Sequence, residues 1–370
     1  MLSEAFVADA HGGLTCFECH GGTEGAEEKE ASHAGQVPDP SDAGAETNIC
    51  GACHNSKAQT FENSLHYTQN GYFWTFEQRS GVAAEASTGF MQAFGSHCQQ
   101  CHATCGQCHI SRPASVGGGL VEEHEVIATP DMNAQCTACH GSRVHDEFKG
   151  IHPGLRADAH YVAGMDCMDC HTGSEMHGTG FTPDDMRGAI GRASCSDCHP
   201  GPAAGDDGIT HHELHAQAVD CTVCHSQPYR TCYQCHVGES GVAGHGLRFP
   251  SELDFRIGKN PIPSPSRPWE YTIVRHIPVY PEMYEAYGVT LDQFDTLPTW
   301  KYAVPHNIRR NTPQTESCDA CHGERGIYLT AAYQDTLIND TKAVAEEISA
   351  NAAVVTDPPA LPGGSTSRRK

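Results

Sequence analysis

Ten copies of one short motif constrain this chain more than any other feature. All 20 cysteines fall into CxxC pairs, and a histidine directly follows every pair. Because 25 of the 370 residues are histidine, chance alone would place one after all ten pairs with a probability on the order of 10⁻¹². In chain order the motifs are Cys16-Cys19-His20, Cys50-Cys53-His54, Cys98-Cys101-His102, Cys105-Cys108-His109, Cys136-Cys139-His140, Cys167-Cys170-His171, Cys195-Cys198-His199, Cys221-Cys224-His225, Cys232-Cys235-His236 and Cys318-Cys321-His322.

The CxxCH motif is typical of covalent c-type haem attachment. Two thiols three residues apart project from one helical turn toward one porphyrin, and the next residue supplies the proximal iron ligand. A zinc ribbon also uses CxxC pairs, but it does not require a histidine after each. A disulfide between such close cysteines closes a tiny loop and removes little unfolded-state entropy. The sequence therefore predicts ten haem c groups with the motif histidines as proximal ligands.

Composition agrees with a haem-organised fold. The chain has 38 glycines and 22 prolines, and only 38% of its residues are hydrophobic. Porphyrin surface can replace a core of side chains, because each macrocycle is large and apolar. We expect a multihaem cytochrome c fold of mostly short α-helices and long loops with little β structure. Without haem the chain should be disordered.

Motif spacing divides the chain into three regions. Residues 1–236 carry the first nine sites, and only two residues separate His102 from Cys105, so the third and fourth haems should nearly touch. Residues 237–317 carry no site and are rich in proline and aromatic residues. We interpret them as a connector that supplies distal histidines, either as a loop packed on haem faces or as a docking surface. Residues 318–370 hold the tenth haem, a helix over 330–355 and a tail.

Fifteen histidines lie outside the motifs and are candidates for the second axial ligand. His11, His160 and His215 each precede a motif by five to seven residues. A surface or hydrogen-bonding role is favoured for His97, His145, His152, His211 and His245. We predict bis-histidine, low-potential haems whose distal ligands are His11, His33, His66, His124, His160, His177, His212, His215, His276 and His306.

The charge balance and the apolar pattern bear on partners and location. With 46 acidic and 23 basic residues the net charge is −23, which argues against nucleic acid as a partner. No run of 18 apolar residues predicts a membrane span, and the first fifteen residues lack the basic and apolar regions of a signal peptide. Because haem is attached outside the cytoplasm in proteins of this kind, we expect an exported protein. An extracellular or cell-surface location is predicted, with the periplasm as the alternative.

Several stretches resemble large multihaem c-type cytochromes of extracellular electron transfer. They are CHATCGQCHISRP (101–113), CTACHGSRVHDEF (136–148), HYVAGMDCMDCHTGSEMHG (160–178), DCTVCHSQPYRTCYQCHVG (220–238) and YAVPHNIRRNTPQTESCDACHG (302–323). The resemblance implies stacked and T-shaped haem pairs, a role as electron conduit, and in some relatives a cytochrome filament. The implied partners are other redox proteins, extracellular electron acceptors and further copies of the chain.

Two functions stay open at this point. The first is a non-enzymatic conduit, for which no catalytic residue is predicted. It includes a head-to-tail homopolymer in which His11 or His33 ligates iron in a neighbouring chain. The second is a reductase or oxidase of the nitrite, hydroxylamine or tetrathionate type, with one open haem near HYTQNGYFW (66–74). No motif reads CxxCK, the variant found at the catalytic haem of pentahaem nitrite reductases.

Overall fold

The computed structural model describes residues 2–42, 44, 48–188, 192–229, 254–277, 279, 281–323, 327–338 and 344–359. For residues 142–143, 335–338 and 344–347 it describes the backbone alone. The ninth motif, Cys232-Cys235-His236, and His245 lie outside the described residues. Every described cysteine is free of disulfide bonds.

The chain divides into two compact units. The first comprises Met1–Thr75, Met91–Gly141 and Asp166–Ala193, and it contains the first six motifs. The second comprises Phe76–Phe90, Ser142–Met165 and Ser194–Lys370 and contains the other four. The division into residues 1–236, 237–317 and 318–370 follows the positions of the predicted haem sites, and it stays a prediction.

The first unit consists of short helices joined by loops. Its α-helices are Glu4–Ala8, Cys16–His20, Lys29–Ser32, Cys50–Cys53, Asn55–Phe61, Leu65–Thr68, Cys105–His109, Thr137–His140 and Gly173–His177. Shorter 3₁₀ turns cover Ala10–Gly13, Gln99–Cys101, Ala114–Val116 and Cys167–Asp169, and a π-helical turn covers Met132–Cys136. The helices Asn70–Ser80 and Thr88–His97 and the π-turn Gly141–His145 each contain a point where the chain passes between units.

Capping residues explain why helices begin at the motifs. Thr15 directly precedes the first cysteine of the first motif, and Ser194 directly precedes that of the seventh. Each forms a capping box with the acidic residue three positions later. Thr104 and Asp220 cap the fourth and eighth motifs in the same position. Such caps satisfy backbone N–H groups that a helix start leaves without partners. They fix the turn from which both thiols of a motif project.

The second unit combines short helices with one small sheet. Its α-helices are Asp146–Lys149, Ala159–Val162, Cys195–Cys198, Pro200–Ala204, Thr210–His215, Cys221–His225, Asp319–His322, Ala331–Ile338 and Val344–Asn351. The 3₁₀ turns are Ala84–Ala86, Pro281–Tyr287, Phe294–Thr296 and Pro313–Thr315. Three antiparallel strands follow the order β1 (Phe255–Lys259), β2 (Tyr271–His276) and β3 (Trp300–Tyr302).

The sheet organises the side-chain core of the second unit. In the register of β1 and β2, Ile257 lies opposite Ile273, and both pack with Val223 and Tyr328. A second cluster contains the fully buried side chains of Val274, Trp300, Leu329 and Val354. The region expected to be a connector therefore contributes strands to two apolar clusters, because successive side chains of a strand face opposite sides of the sheet.

These elements confirm the expected architecture of short helices and loops with little β structure. The helix expected over 330–355 is represented by Ala331–Ile338 and Val344–Asn351, with 339–343 outside the described residues. Among the described helices, none is long and apolar enough to cross a membrane.

Candidate haem-iron sites

Seven histidines outside the motifs each lie opposite a motif histidine. The ring-centroid distances are 6.1 Å for His11–His54, 6.1 Å for His124–His20, 6.1 Å for His66–His140, 6.0 Å for His177–His109, 6.2 Å for His160–His199, 6.1 Å for His212–His225 and 6.1 Å for His215–His322. All seven are among the ten histidines that the sequence predicts as distal ligands. Each pair lies within one compact unit.

The constant separation matches two imidazoles on one metal ion. A metal–imidazole bond is about 2.0 Å, and the ring centroid lies about 1.1 Å beyond the nitrogen, so trans ligands have centroids about 6.2 Å apart. The interplanar angles vary from 5° to 81° in these pairs, as rotation about a shared axis allows. Ring pairs without a motif histidine scatter more widely, from 4.0 Å for Phe76–Phe90 to 6.4 Å for Phe6–His124. Direct ring–ring attraction does not explain a fixed distance at every angle.

Several motif and distal histidines donate a hydrogen bond from Nδ1 to a nearby oxygen. Among motif histidines, His20 donates to Val37 O at 2.9 Å and His322 to Pro359 O at 2.7 Å. Further Nδ1 bonds run from His102 to Tyr67 O at 2.7 Å, His109 to Ile127 O at 2.7 Å, His225 to Arg309 O at 3.1 Å, His177 to Gly173 O at 2.6 Å and His215 to His211 O at 2.9 Å. A bond at Nδ1 orients the ring and leaves Nε2 for a metal.

Carboxylates hold three of the distal histidines in the same way. His160 Nδ1 lies 2.9 Å from the Asp158 carboxylate, and His212 Nδ1 lies 2.7 Å from that of Asp207. His11 Nδ1 contacts the Asp9 carboxylate. Sequence reasoning missed these carboxylates, although the tripeptide Asp-Ala-His occurs at both 9–11 and 158–160. That repeat was the signal that would have found two of them.

Burial favours the neutral form of three of the paired histidines. It lowers the pKa of His66, His177 and His225, because desolvation disfavours the imidazolium cation. Neutral imidazole is the form that binds a metal ion. These histidines are therefore prepared for ligation at neutral pH. The pKa of His171 is raised instead, chiefly by its hydrogen bond to Glu175.

Cysteine sulfurs from different motifs meet in the first unit. Hydrogen bonds join the thiols of Cys50 and Cys105, of Cys101 and Cys139, and of Cys136 and Cys167. The bond from Cys105 lowers the pKa of Cys50 to about 7, and the bond from Cys101 lowers that of Cys139 to about 6. Weaker charge interactions link Cys19 with Cys50 and Cys108 with Cys139. The attachment sites are therefore adjacent in the order first, second, fourth, fifth and sixth, and the third also meets the fifth.

A shorter row of sites occupies the second unit. The Cys195 and Cys221 thiols share a hydrogen bond, which lowers the pKa of Cys195. Cys224 interacts with Cys321, although burial is the larger cause of its raised pKa. The seventh, eighth and tenth sites are thus successive neighbours. Groups attached through adjacent sulfurs would lie close together.

The other three predicted distal ligands have different surroundings. His33 is exposed, and its Nδ1 donates to Lys29 O at 2.6 Å. His276 is buried and stacks on Trp300 with centroids 4.9 Å apart. His306 Nδ1 donates to Val304 O at 3.1 Å, and its backbone N–H donates to Glu147 at 2.9 Å. A ligand role for these three stays a prediction.

The histidines assigned other roles are found in ordinary contacts. His152 stacks on Tyr229 with centroids 5.4 Å apart. His145 Nδ1 lies 2.9 Å from the Asp146 carboxylate, and His211 O accepts the bond from His215. His97 is the last residue of the helix Thr88–His97.

A buried polar network in the second unit was also missed from sequence. The Glu147 side chain is 1% exposed and accepts hydrogen bonds from Arg275 and from the Tyr229 hydroxyl. Its second oxygen accepts the His306 N–H. More than a hundred residues separate Glu147 from Arg275, so no local pattern joins them. The network fixes the backbone at His306 because a buried carboxylate requires its partners.

The paired histidines fit haem iron. Two imidazoles supply two ligands, and a porphyrin supplies the remaining four of a six-coordinate iron. Within the described ranges, no three His, Cys, Asp or Glu side chains converge into a metal site of their own. No protein-family model, curated protein or solved structure matches the chain. Its function therefore has to be inferred from its own residues.

Proposed function

We propose that this chain is an electron-transfer conduit with ten covalently bound c-type haems, working in extracellular electron transfer. The observation that carries the proposal is the set of seven histidine pairs with centroids 6.0–6.2 Å apart. In each pair one member belongs to a CxxCH motif, whose two thiols would attach the same group. Bound haem iron would exchange single electrons between its ferric and ferrous states.

Two features of the chain favour conduction over catalysis. An iron held by histidine on both sides has no position left for a substrate, so such sites carry electrons. The cysteine sulfurs of successive sites meet within each unit, as between Cys50 and Cys105 or Cys195 and Cys221. Attached groups would lie edge to edge along these rows. An acidic surface of net charge −23 would steer basic redox partners or cations toward them.

Haem content tests this proposal directly. Protein produced with a c-type maturation system is expected to carry ten covalent haems per chain, by intact mass and by the pyridine haemochrome spectrum. Paramagnetic resonance of the oxidised protein should be dominated by low-spin bis-histidine signals. A chain purified with free thiols, with zinc or with disulfides would contradict the proposal.

The proposal includes a polymer in which His33 ligates iron in a neighbouring copy of the chain. Its exposed ring is oriented as His177 and His215 are, by an Nδ1 bond to the carbonyl four residues earlier. Apolar side chains exposed in the same unit offer contact area, with Val7 60%, Leu14 41% and Phe17 37% exposed. A head-to-tail interface that does not close produces a filament.

Replacing His33 with alanine is expected to abolish filaments in electron micrographs and leave single particles, since the variant loses an interchain metal bond. His211→Ala is the matched control, because it also removes an exposed imidazole. Filaments of unchanged length in the His33→Ala protein would show that His33 does not join the chains. The haem content of both variants should stay at that of the parent.

A further inference from the structure

The third motif histidine has surroundings unlike those of the seven pairs. His102 Nε2 lies 3.8 Å from the carboxylate of Asp42. Tyr67 has its ring centroid 4.8 Å from that of His102. Within the described part of the chain, no histidine ring contacts His102. An acidic side chain stands where the seven paired sites have an imidazole.

The distance suits a carboxylate on the far side of one metal ion. His102 Nδ1 donates to Tyr67 O, so Nε2 is the nitrogen left for iron. Two metal–ligand bonds of about 2.0 Å each place trans donor atoms about 4 Å apart. The observed 3.8 Å is close to this value. An iron held by His102 Nε2 would therefore have the Asp42 carboxylate within bonding reach.

Contacts on both sides hold Asp42 there. The neighbouring Ser41 is buried, its carbonyl accepts the Cys105 N–H at 3.0 Å, and its hydroxyl bonds Thr104 Oγ1 at 2.9 Å. The Tyr67 hydroxyl hydrogen-bonds the Asp42 carboxylate. The acidic side chain is thus tied both to the segment that follows His102 and to the ring that covers it.

Gln69 fixes the segment that carries Tyr67. It is buried, and its φ of 51° lies in the left-handed region that non-glycine residues rarely adopt. Its side-chain nitrogen donates to Cys98 O at 2.9 Å, at the start of the third motif. The strained backbone is therefore held by a bond to the same haem site, as expected of a functional position.

We propose that the third site binds small neutral haem ligands such as nitric oxide or carbon monoxide, at a sixth position that Asp42 occupies weakly and guards against anions. The inference rests on the proposed function, because it requires haem at His102. A carboxylate is a weaker ligand for reduced iron than imidazole and yields to a neutral molecule. Its negative charge disfavours azide or cyanide. With side chains 31% and 40% exposed, His102 and Asp42 leave solvent access to the site.

The test uses the full haem-loaded protein with carbon monoxide and azide as probes. The reduced parent is expected to take up at least one carbon monoxide per chain, and the oxidised parent to show a high-spin signal. Asp42→His should lower the uptake by about one per chain and remove the matching high-spin signal, because it supplies a strong sixth ligand. Asp42→Asn should raise azide affinity at least about fivefold while changing carbon monoxide affinity less than about threefold. Glu62→Gln is the control, since it removes another negative charge that acts on Tyr67.

Three results would overturn the inference. The first is a parent with a full complement of haem that binds no carbon monoxide. The second is equal azide affinity in the parent and in Asp42→Asn. The third is uptake that appears only after His33 is replaced, which would assign the sixth position to a neighbouring chain. A chain without covalent haem would instead refute the proposed function, and haem content distinguishes the two failures.

Discussion

Alanine at His212 or His215 is expected to open one iron each, so that the reduced variant binds one more carbon monoxide per chain than the parent. Both histidines lie on the helix Thr210–His215, yet they face different motif histidines, His225 and His322. Loss of either imidazole leaves five ligands on its iron. The double variant should bind two more, because the two sites are separate. Carbon monoxide titration followed by absorbance measures both increments.

The same helix provides a matched control in His211. Replacing it with alanine removes an imidazole one position away but leaves the carbonyl that orients His215. This variant should bind no more carbon monoxide than the parent and keep its low-spin resonance signals. Equal uptake by all three variants would mean that they act through general loosening of the helix. No increment at His212 and His215 would remove them from the set of distal ligands.

The second large effect is expected when haem attachment is prevented. Produced without c-type maturation, the chain should lose most of its far-ultraviolet helix signal, because its short helices are below the length that is stable alone. Fully buried apolar side chains are concentrated in the second unit, including Ile257, Val274, Trp300 and Leu329. In the first unit those described as buried are Ala58, Phe61, Ala93 and Phe94. We therefore expect the first unit to depend more on porphyrin surface.

Hydrogen exchange resolves this difference along the chain. In the haem-free protein, amides of the first unit should exchange within the dead time of the experiment. Residual protection is expected in the strands Phe255–Lys259 and Tyr271–His276, where side chains alone form a core. The haem-loaded protein serves as the reference for every peptide. A cooperative melt of the first unit without haem would contradict this expectation.

Most of the candidate site could be predicted from the sequence because the CxxCH motif is local. The attachment motif is five residues long, and seven of the ten predicted distal histidines lie opposite a motif histidine. Which motif histidine each one faces could not be predicted from the sequence. His11 precedes the first motif but faces His54 of the second, and His160 precedes the sixth but faces His199 of the seventh. In both cases the histidine faces the next motif in sequence and not the one that it directly precedes.

Long-range pairing also explains what was missed in the fold. The alternating apolar residues of FRIGK and YTIVRH favour strands, but their pairing across a loop of eleven residues depends on the clusters that cover both faces of the sheet. The contact between Asp42 and His102 joins segments sixty residues apart through Ser41 and Thr104. Neither contact has a local signature. Motif spacing identifies the candidate ligands, whereas tertiary packing decides which residue each of them contacts.

The contacts among cysteine sulfurs in the first unit connect five motifs in one row, and the third motif lies beside that row. Cys19 interacts with Cys50, Cys50 meets Cys105, Cys108 interacts with Cys139, and Cys136 meets Cys167. An electron route from the first site to the sixth would therefore run through the fifth. The third site joins this route through Cys101 and Cys139, yet the route does not pass through it. A molecule bound at the third site would accept electrons without blocking transfer between the other sites. Loss of the fifth site would interrupt transfer between the first and sixth sites.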